Sequence, residues 1–425
     1  VSRARSPFID SNARLRCERV RFVTSRARTP PVRAPDRRSR RHGPFQEALT
    51  MKKAVAGTLS LAFLSTAAHA QSSVTLYGML DAGIAYTNNQ SGKSAWQQGS
   101  GLLSNTVFGL SGNEDLGGGL HALFRLENGF NLNNGTQSYK NTMFGRRAYV
   151  GLQSDRYGAL TLGRQYDAVV DYLGPLAMAN NGDGNNLASH PFDNDNIDDS
   201  FYIDNAVKYT SPTLAGWQFG GLYGFSNAAG GFANNRAYSA GVSYANGPVS
   251  LGAAYLQLNR GGLTAGGALS TNDGPNFPAV RQRVMGAGGS YAFDRLTVGA
   301  LWTHSMFDET AASSLPGALN ALRFDNFEVN ARYALTPAVS FAGAYTFTDG
   351  RYDDATGSHR PKWHQVTLMA DYALSKRTDV YAETVYQHQF GVPAGATLGF
   401  ANVTGLAASS TNTQVVATVG IRHRF

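Results

Sequence analysis

From residue 74 to the last residue, the chain alternates apolar and other side chains with period two in sixteen separate stretches. In the first, Val74, Leu76, Leu80, Ala82, Ile84 and Tyr86 form one set, and Thr75, Met79 and Asp81 lie in the other. Successive side chains of a strand point to opposite faces, so this is a strand with one greasy face. The same grammar recurs in Leu120–Phe130, Trp217–Phe225, Leu296–Ser305, Phe324–Tyr333, Val339–Phe347, His364–Tyr372 and Thr413–Phe425. The sixteen segments start near 74, 104, 120, 141, 159, 201, 217, 236, 249, 281, 296, 323, 338, 363, 379 and 411.

The connections alternate in length. Short ones are Glu114–Gly119, Asp155–Gly158, Ser211–Gly216, Asn246–Pro248, Asp294–Arg295, Thr336–Pro337 and Ser375–Thr378. Long ones lie near 89–103, 131–140, 167–200, 227–235, 259–280, 307–322, 349–362 and 390–410. This alternation puts the tight turns at one end and the long loops at the other. The expected fold is all-β, a transmembrane 16-stranded antiparallel up-and-down β-barrel. In lipid an unpaired backbone group costs several kcal/mol, so a sheet there has to close on itself. Tyr86, Trp217, Tyr244, Tyr291, Tyr333 and Tyr372, near strand ends, would form the interfacial girdles. A soluble β-sandwich would also alternate, but it would not need this loop asymmetry.

The net charge of +8 belongs to the front of the chain. Residues 1–50 hold thirteen Arg against four acids, and Lys52 and Lys53 follow. Residues 71–425 keep 22 basic and 25 acidic residues, a net of −3, which excludes a basic nucleic-acid-binding body. Met51-Lys52-Lys53, an apolar stretch Ala54–Ser65 and Ala68-His69-Ala70 read as a secretory signal peptide over 51–70, cleaved between Ala70 and Gln71. It is too short to span a membrane. Residues 1–50, Arg- and Pro-rich with no hydrophobic period, read as a disordered, non-native upstream extension. The single cysteine, Cys17, lies there, so the body uses neither disulfides nor cysteine-held metal.

Within the body, residues 167–200 stand apart. They run 34 residues, carry Asp167, Asp171, Asp183, Asp193, Asp195, Asp198 and Asp199, and no Lys or Arg falls between Arg164 and Lys208. A long irregular segment between strands is usually functional. Asp193–Asp199 spaces its oxygens like a calcium loop but lacks the central Gly and closing Glu, so it reads as solvated loop acids with no metal or cofactor. His359, His364 and His388 fall in a loop or on different strands and define no Ser-His-acid arrangement. Gly117–Gly119 lies in a tight turn, so no phosphate-binding loop is present.

Several segments carry a family resemblance. They are Ser73–Gly78, Phe108–Gly117, Arg146–Leu152, Leu162–Tyr166, Asn205–Pro212 and Val419–Phe425. Through them the whole of 71–425 resembles the general, trimeric porins of the Gram-negative outer membrane, of beta-proteobacterial type. The resemblance implies a homotrimer in the outer membrane. Each barrel would be a water-filled channel for passive diffusion of ions and small hydrophilic solutes, not an enzyme. It also implies that one loop of the eight, the third, folds inward to narrow the pore, and here that loop is 167–200.

On that reading Asp167, Asp171 and Asp183 face a basic wall of Arg125 and Arg146. Asp81, Glu127 and Lys208 are further lumen-facing candidates. Arg164 shares the parity of Leu160 and Leu162 and is expected to point outward. Phe425 resembles the terminal signal read by the outer-membrane assembly machinery. Relatives usually carry basic residues where Val107 and Tyr202 stand, and some have Lys at Met79. A thin wall facing seven acids implies weak or cation-leaning selectivity. The alternatives are a surface adhesin or receptor barrel, or a barrel-type outer-membrane hydrolase.

Overall fold

The computed structural model describes residues 73–139, 141–181, 186–273, 276–310 and 319–425. Residues 1–50, the segment 51–70 and the pair Ala70–Gln71 lie outside the described residues, as does Asp183.

Eighteen β segments make one closed antiparallel wall of sixteen strands. The count falls to sixteen because two strands are interrupted. Lys93–Ser100 pairs with the outer half of Ser73–Gln90, and Val107–Gly117 pairs with its inner half. In the same way Gly357–His359 and Lys362–Ala373 both pair with Val339–Asp354. The other strands are Leu120–Gly129, Arg147–Ser154, Gly158–Gln165, Ile203–Thr210, Trp217–Gly224, Arg236–Asn246, Val249–Asn259, Ala279–Phe293, Leu296–Thr310, Leu319–Ala334, Thr378–Phe390 and Thr413–Arg424.

Closure joins the first strand to the last, with Met79 opposite Arg424 and Thr87 opposite Val416. Phe425 completes the seam. Its N–H donates to the Gly78 carbonyl at 3.0 Å, and the Gly78 N–H donates back at 3.1 Å. A side chain at position 78 would stand 2.3 Å from the Phe425 ring, so only glycine leaves the ring its place.

The period-two pattern sorts the faces as expected. Along Leu319–Ala334, Leu322, Phe324, Asn326 and Glu328 are buried toward the lumen, while Phe327 and Val329 are exposed on the outer face. Two aromatic levels mark that face, Phe327 opposite Phe347 and Tyr333 opposite Phe341. Six residues separate them, about 20 Å of strand, which suits an apolar band.

Three local features differ from the sequence reading. The expected first long loop, 89–103, is largely strand, joined by a two-residue turn. Ser91 and Gly92 both have positive φ (51° and 95°), the backbone whose twist matches a hairpin. The fourth strand begins at Arg147 rather than near 141, so Arg146 stands just before it. Loop 167–200 is not alone in turning inward, because the last loop does so too. There Leu398, Ala401 and Val403 are fully buried. The lumenal side chains of Gln387 and Gln414 accept hydrogen bonds from Asn402 N (2.5 Å) and Val403 N (2.8 Å).

Candidate functional site

The seat of loop 167–200 is built from glycines. On the inner wall, Gly220, Gly241, Gly252 and Gly286 leave the space that Tyr172 and Leu173 fill. A Cβ at these positions would stand 2.2–2.9 Å from atoms of those two residues. Val169, Tyr172, Leu173, Ala177, Ile197 and Phe201 thus pack on Ala206, Leu222, Ala237, Leu256, Val284 and Leu301 in one apolar cluster. Polar ties fix the loop's path. Asn330 donates to the Leu176 carbonyl (2.9 Å), Met178 N donates to Glu328 (2.8 Å), and Gln365 donates to the Ala188 and Ser189 carbonyls.

The loop's acids are mostly spent on holding its own shape. Asp167 caps the short helix Ala168–Tyr172, accepting from Val169 N at 2.7 Å, and its other oxygen accepts from Asn196 at 2.7 Å. It is fully buried, and burial pushes its carboxyl up to about 6 against those two hydrogen bonds. Asp167 is therefore a structural cap rather than part of the pore lining, since its carboxylate is fully buried against the first turn of the helix. Asp167→Ala is expected to cost about 1 kcal/mol locally, read as faster amide exchange at residues 168–170.

Asp171 is ion-paired with Lys208, which also donates to the Tyr166 carbonyl at 3.0 Å. These two lumen candidates cancel each other. Asp193 accepts from the backbone of Asp198 and Ser200, and burial pushes it up to about 7. Burial pushes Asp198 well above the usual carboxylate range, with Asp193 and Asp199 adding to the effect. Asp195 accepts from Ile197 N, Asn326 and Thr303 and contacts the His190 ring at 2.7 Å. The oxygens that resembled a calcium loop are thus engaged by the protein itself.

His190 is the loop's main anchor. Its Nδ1 lies 2.7 Å from Asp195 and its Nε2 lies 3.2 Å from Glu328 on the wall. Burial alone would lower its pKa, but the two carboxylates prevail and push it up to about 10.

Facing the loop's end is a knot of charge around Glu127. Arg146 bonds Glu127 at 3.1 Å, Tyr166 at 3.0 Å and Asp199 through two nitrogens at 3.2 and 3.0 Å. Arg147 reaches Glu127 at 2.5 Å. Arg125 bonds Tyr77 at 2.6 Å, and Tyr77 donates to Glu127 at 2.8 Å. Between loop and wall lies an opening of about 230 Å³, lined among others by Asn105, Arg147, Asn180, Asn186, Asp199 and Arg424. Arg147 and Arg424 expose 18% and 39% of their side chains, against 2% for Glu127 and 9% for Asp199. Glu127, Asp198 and Asp199 line the opening as well, but Arg147 and Arg424 are more exposed than Glu127 and Asp199.

Two further expectations change. Asp81 is on the inner face but fully buried. It accepts from Leu103 N (2.7 Å), Ser104 N (2.6 Å) and Tyr381 (2.6 Å), holding the break in the second strand in place. Arg164 is not exposed on the outer face. It bonds Asp204 at 2.6 Å and the Gly145 carbonyl at 2.7 Å and lies over the Tyr139 and Tyr202 rings. A register shift at Gly163–Gln165, with Gly163 at φ 132°, ends the parity that placed it outward. Tyr202 is fully buried and stacks on Tyr166. Arg147 and Arg424 were not singled out from sequence. Both were within reach, since Arg147 lies opposite Glu127 in register and Arg424 shares its parity with Thr418 and Arg422.

A closed barrel with polar residues inside, an inward-seated loop and a charged opening defines a channel-forming outer-membrane barrel protein. A family model described as Gram-negative porin matches residues 56–391. An outer membrane porin protein of Bordetella pertussis is 31% identical, covering 88% of this chain and all of that one, and the outer membrane porin protein 32 of Delftia acidovorans is 30% identical over the same shares. The chain belongs to the Gram-negative porin family. Among solved structures, the anion-selective porin from Comamonas acidovorans superposes with a TM-score of 0.65 at 24% identity, over 83% of this chain and all of that one. A trimer-form OmpT of Vibrio cholerae gives 0.59 at 16% identity, over 83% of this chain and 99% of that one.

Proposed function

We propose that this outer-membrane porin passes small hydrophilic solutes by diffusion, without chemical turnover, through an eyelet whose exposed charge is positive. The observation that carries the reading is the loop seated inside the closed wall, leaving an opening in which Arg147 and Arg424 are more exposed than Glu127 and Asp199, while the loop's acids are capped, ion-paired or buried. The field there favours anions weakly, which reverses the cation leaning expected from the count of loop acids. The name of the Comamonas porin agrees with this sign.

Reversal potentials in a salt gradient test it. The unaltered channel is expected to prefer chloride modestly. A unit charge at 4 Å is worth about 1 kcal/mol in water, so Arg424→Gln, which removes one lining charge, should lower the chloride-to-potassium permeability ratio about fivefold. A cation-preferring parent channel would overturn the reading.

We infer in addition that the functional unit is a homotrimer. Arg147–Ser154, Gly158–Gln165, Ile203–Thr210 and Trp217–Gly224 are eight residues each, while strands from Ala279 to Asp354 run fifteen or sixteen. Eight is short of the nine to eleven that a tilted strand needs to cross hydrocarbon. A low sector with exposed Val150, Leu152, Leu160 and Leu162 suits burial against other subunits better than lipid. Chemical cross-linking of the folded protein is expected to trap a species of three chains.

A further inference from the structure

On the outward face, near the loop end of the longest strands, one rung of the sheet is almost entirely arginine. Arg283 lies opposite Met306, Met306 opposite Arg323, and Arg323 opposite Arg351. Arg360, also exposed, stands between the two segments of the next strand. That these side chains point away from the lumen follows from their neighbours. Leu322, Phe324 and Tyr352 are buried inside, while Arg323 and Arg351 are exposed.

Like charges directly opposite on neighbouring strands destabilise a sheet, and this pair is not relieved from within. Among the described residues, neither Arg323 nor Arg351 has an ion pair or a side-chain hydrogen bond, whereas Arg281 and Arg283 share Asp308 at 2.7 and 3.2 Å. The next rung toward the membrane holds Asp325 opposite Asp349. Those acids are occupied elsewhere. Asp325 is held by His304 (2.8 Å) and Trp302 (3.2 Å), and Asp349 by Lys362 (3.7 Å). Asp353, on the rung beyond, pairs with neither arginine.

The height of the rung indicates what kind of anion reaches it. Phe327 and Phe347 lie four residues toward the membrane from Arg323 and Arg351, their rings 6.5 Å apart, and His364 packs on Phe347 and Phe390. Aromatic belts sit at the headgroup level, and four residues of strand span about 13 Å. Guanidinium forks just beyond that belt stand where phosphates of a lipid headgroup lie, and they match phosphate geometry bidentately. We propose that Arg323 and Arg351 form a docking site for a phosphorylated lipid headgroup of the outer leaflet, with its acyl chains lying on the apolar wall below. The charge complementarity requires an anion, and the outward, membrane-level placement makes a lipid its carrier.

The test uses the folded full chain in detergent, titrated with lipid A bearing two phosphates, with dephosphorylated lipid A, and with inorganic phosphate alone. Binding of the bisphosphorylated lipid is expected to exceed that of the dephosphorylated lipid at least tenfold, and inorganic phosphate should not displace it. The double variant Arg323→Gln/Arg351→Gln should lose at least tenfold in affinity. A charge-matched Lys376→Gln/Arg377→Gln variant at the opposite end should lose nothing. Unchanged single-channel conductance identifies the first variant as folded, since both residues face away from the pore. Equal binding of the two lipids to the unaltered protein would overturn the proposal without recourse to any variant. So would equal binding by parent and double variant, or displacement by inorganic phosphate.

Discussion

Arg146→Ala is expected to turn a steady conductance into one that flickers between the parent level and larger ones. Arg146 is 6% exposed and binds carboxylates on both sides, Glu127 on the wall and Asp199 at the end of the loop. Removing one partner of a buried ion pair costs about 3–5 kcal/mol, because the other charge is left uncompensated. Glu127 keeps Arg147 and Arg125, so the uncompensated carboxylate is Asp199, on the element that has to stay docked. Arg146→Lys keeps the charge but not the fork that reaches Asp199 with two nitrogens, so it should fall between parent and alanine. Adding Asp199→Ala to Arg146→Ala removes that orphan and should recover part of the quiet state. Single-channel recordings decide the matter. A variant with the parent's conductance and noise would show that Arg146 does not hold the loop.

The second large effect comes from His190. Replacing it with leucine leaves Asp195 and Glu328 buried without their shared cation, a loss of the same order, about 3–5 kcal/mol. The clamp also has a defined pH dependence. The pKa of His190 is raised to about 10 from an ordinary 6.5. Its contribution to loop docking is therefore complete below about pH 6.5 and is lost as the pH rises through about 10. Asp193, an acid raised to about 7, acts with the same sign at lower pH, since its ionisation disfavours the docked form. Asp195 responds differently. Although burial pushes it up, the His190 charge and its hydrogen bonds hold it below the usual carboxylate value, so its contribution is lost only in acid. The parent channel is expected to be quietest in mildly acidic solution and progressively noisier up to about pH 10 to 11. His190→Leu should be noisy throughout and much less pH-dependent. A parent whose noise falls with rising pH would contradict the clamp.

The barrel was legible because alternation is a local signal and closure in lipid leaves few other solutions. The strand count and the inner and outer faces could be read along the chain, and the narrowing loop was named by the family resemblance. Charge roles were less legible. Asp167, Asp171 and Asp199 look alike in sequence, yet one is a helix cap, one is paired with Lys208 and one closes on Arg146. The roles of Asp171 and Asp199 depend on partners 37 and 53 residues away, and Asp167 adds to its local cap a bond to Asn196, 29 residues on. Arg164 was misplaced because one irregular residue pair shifts the register, and period-two reasoning has no memory of such a slip. Gly220, Gly241, Gly252 and Gly286 read as small residues within strands. Their purpose emerges only when the four strands lie side by side beneath Tyr172 and Leu173. The inward turn of 391–412 likewise depends on Gln387 and Gln414, which sequence marks only as lumen-facing.

That glycine track also sets an order of events in time. The seat for Tyr172 and Leu173 is shared among strands that follow the loop in the chain, from Trp217 to Phe293, and the His190 anchor waits for Glu328, later still. The narrowing element is made before the surface that seats it. Until the wall downstream of it has paired, the barrel has no surface on which the loop can settle. A newly assembling chain therefore lacks its narrowing until those later strands have formed.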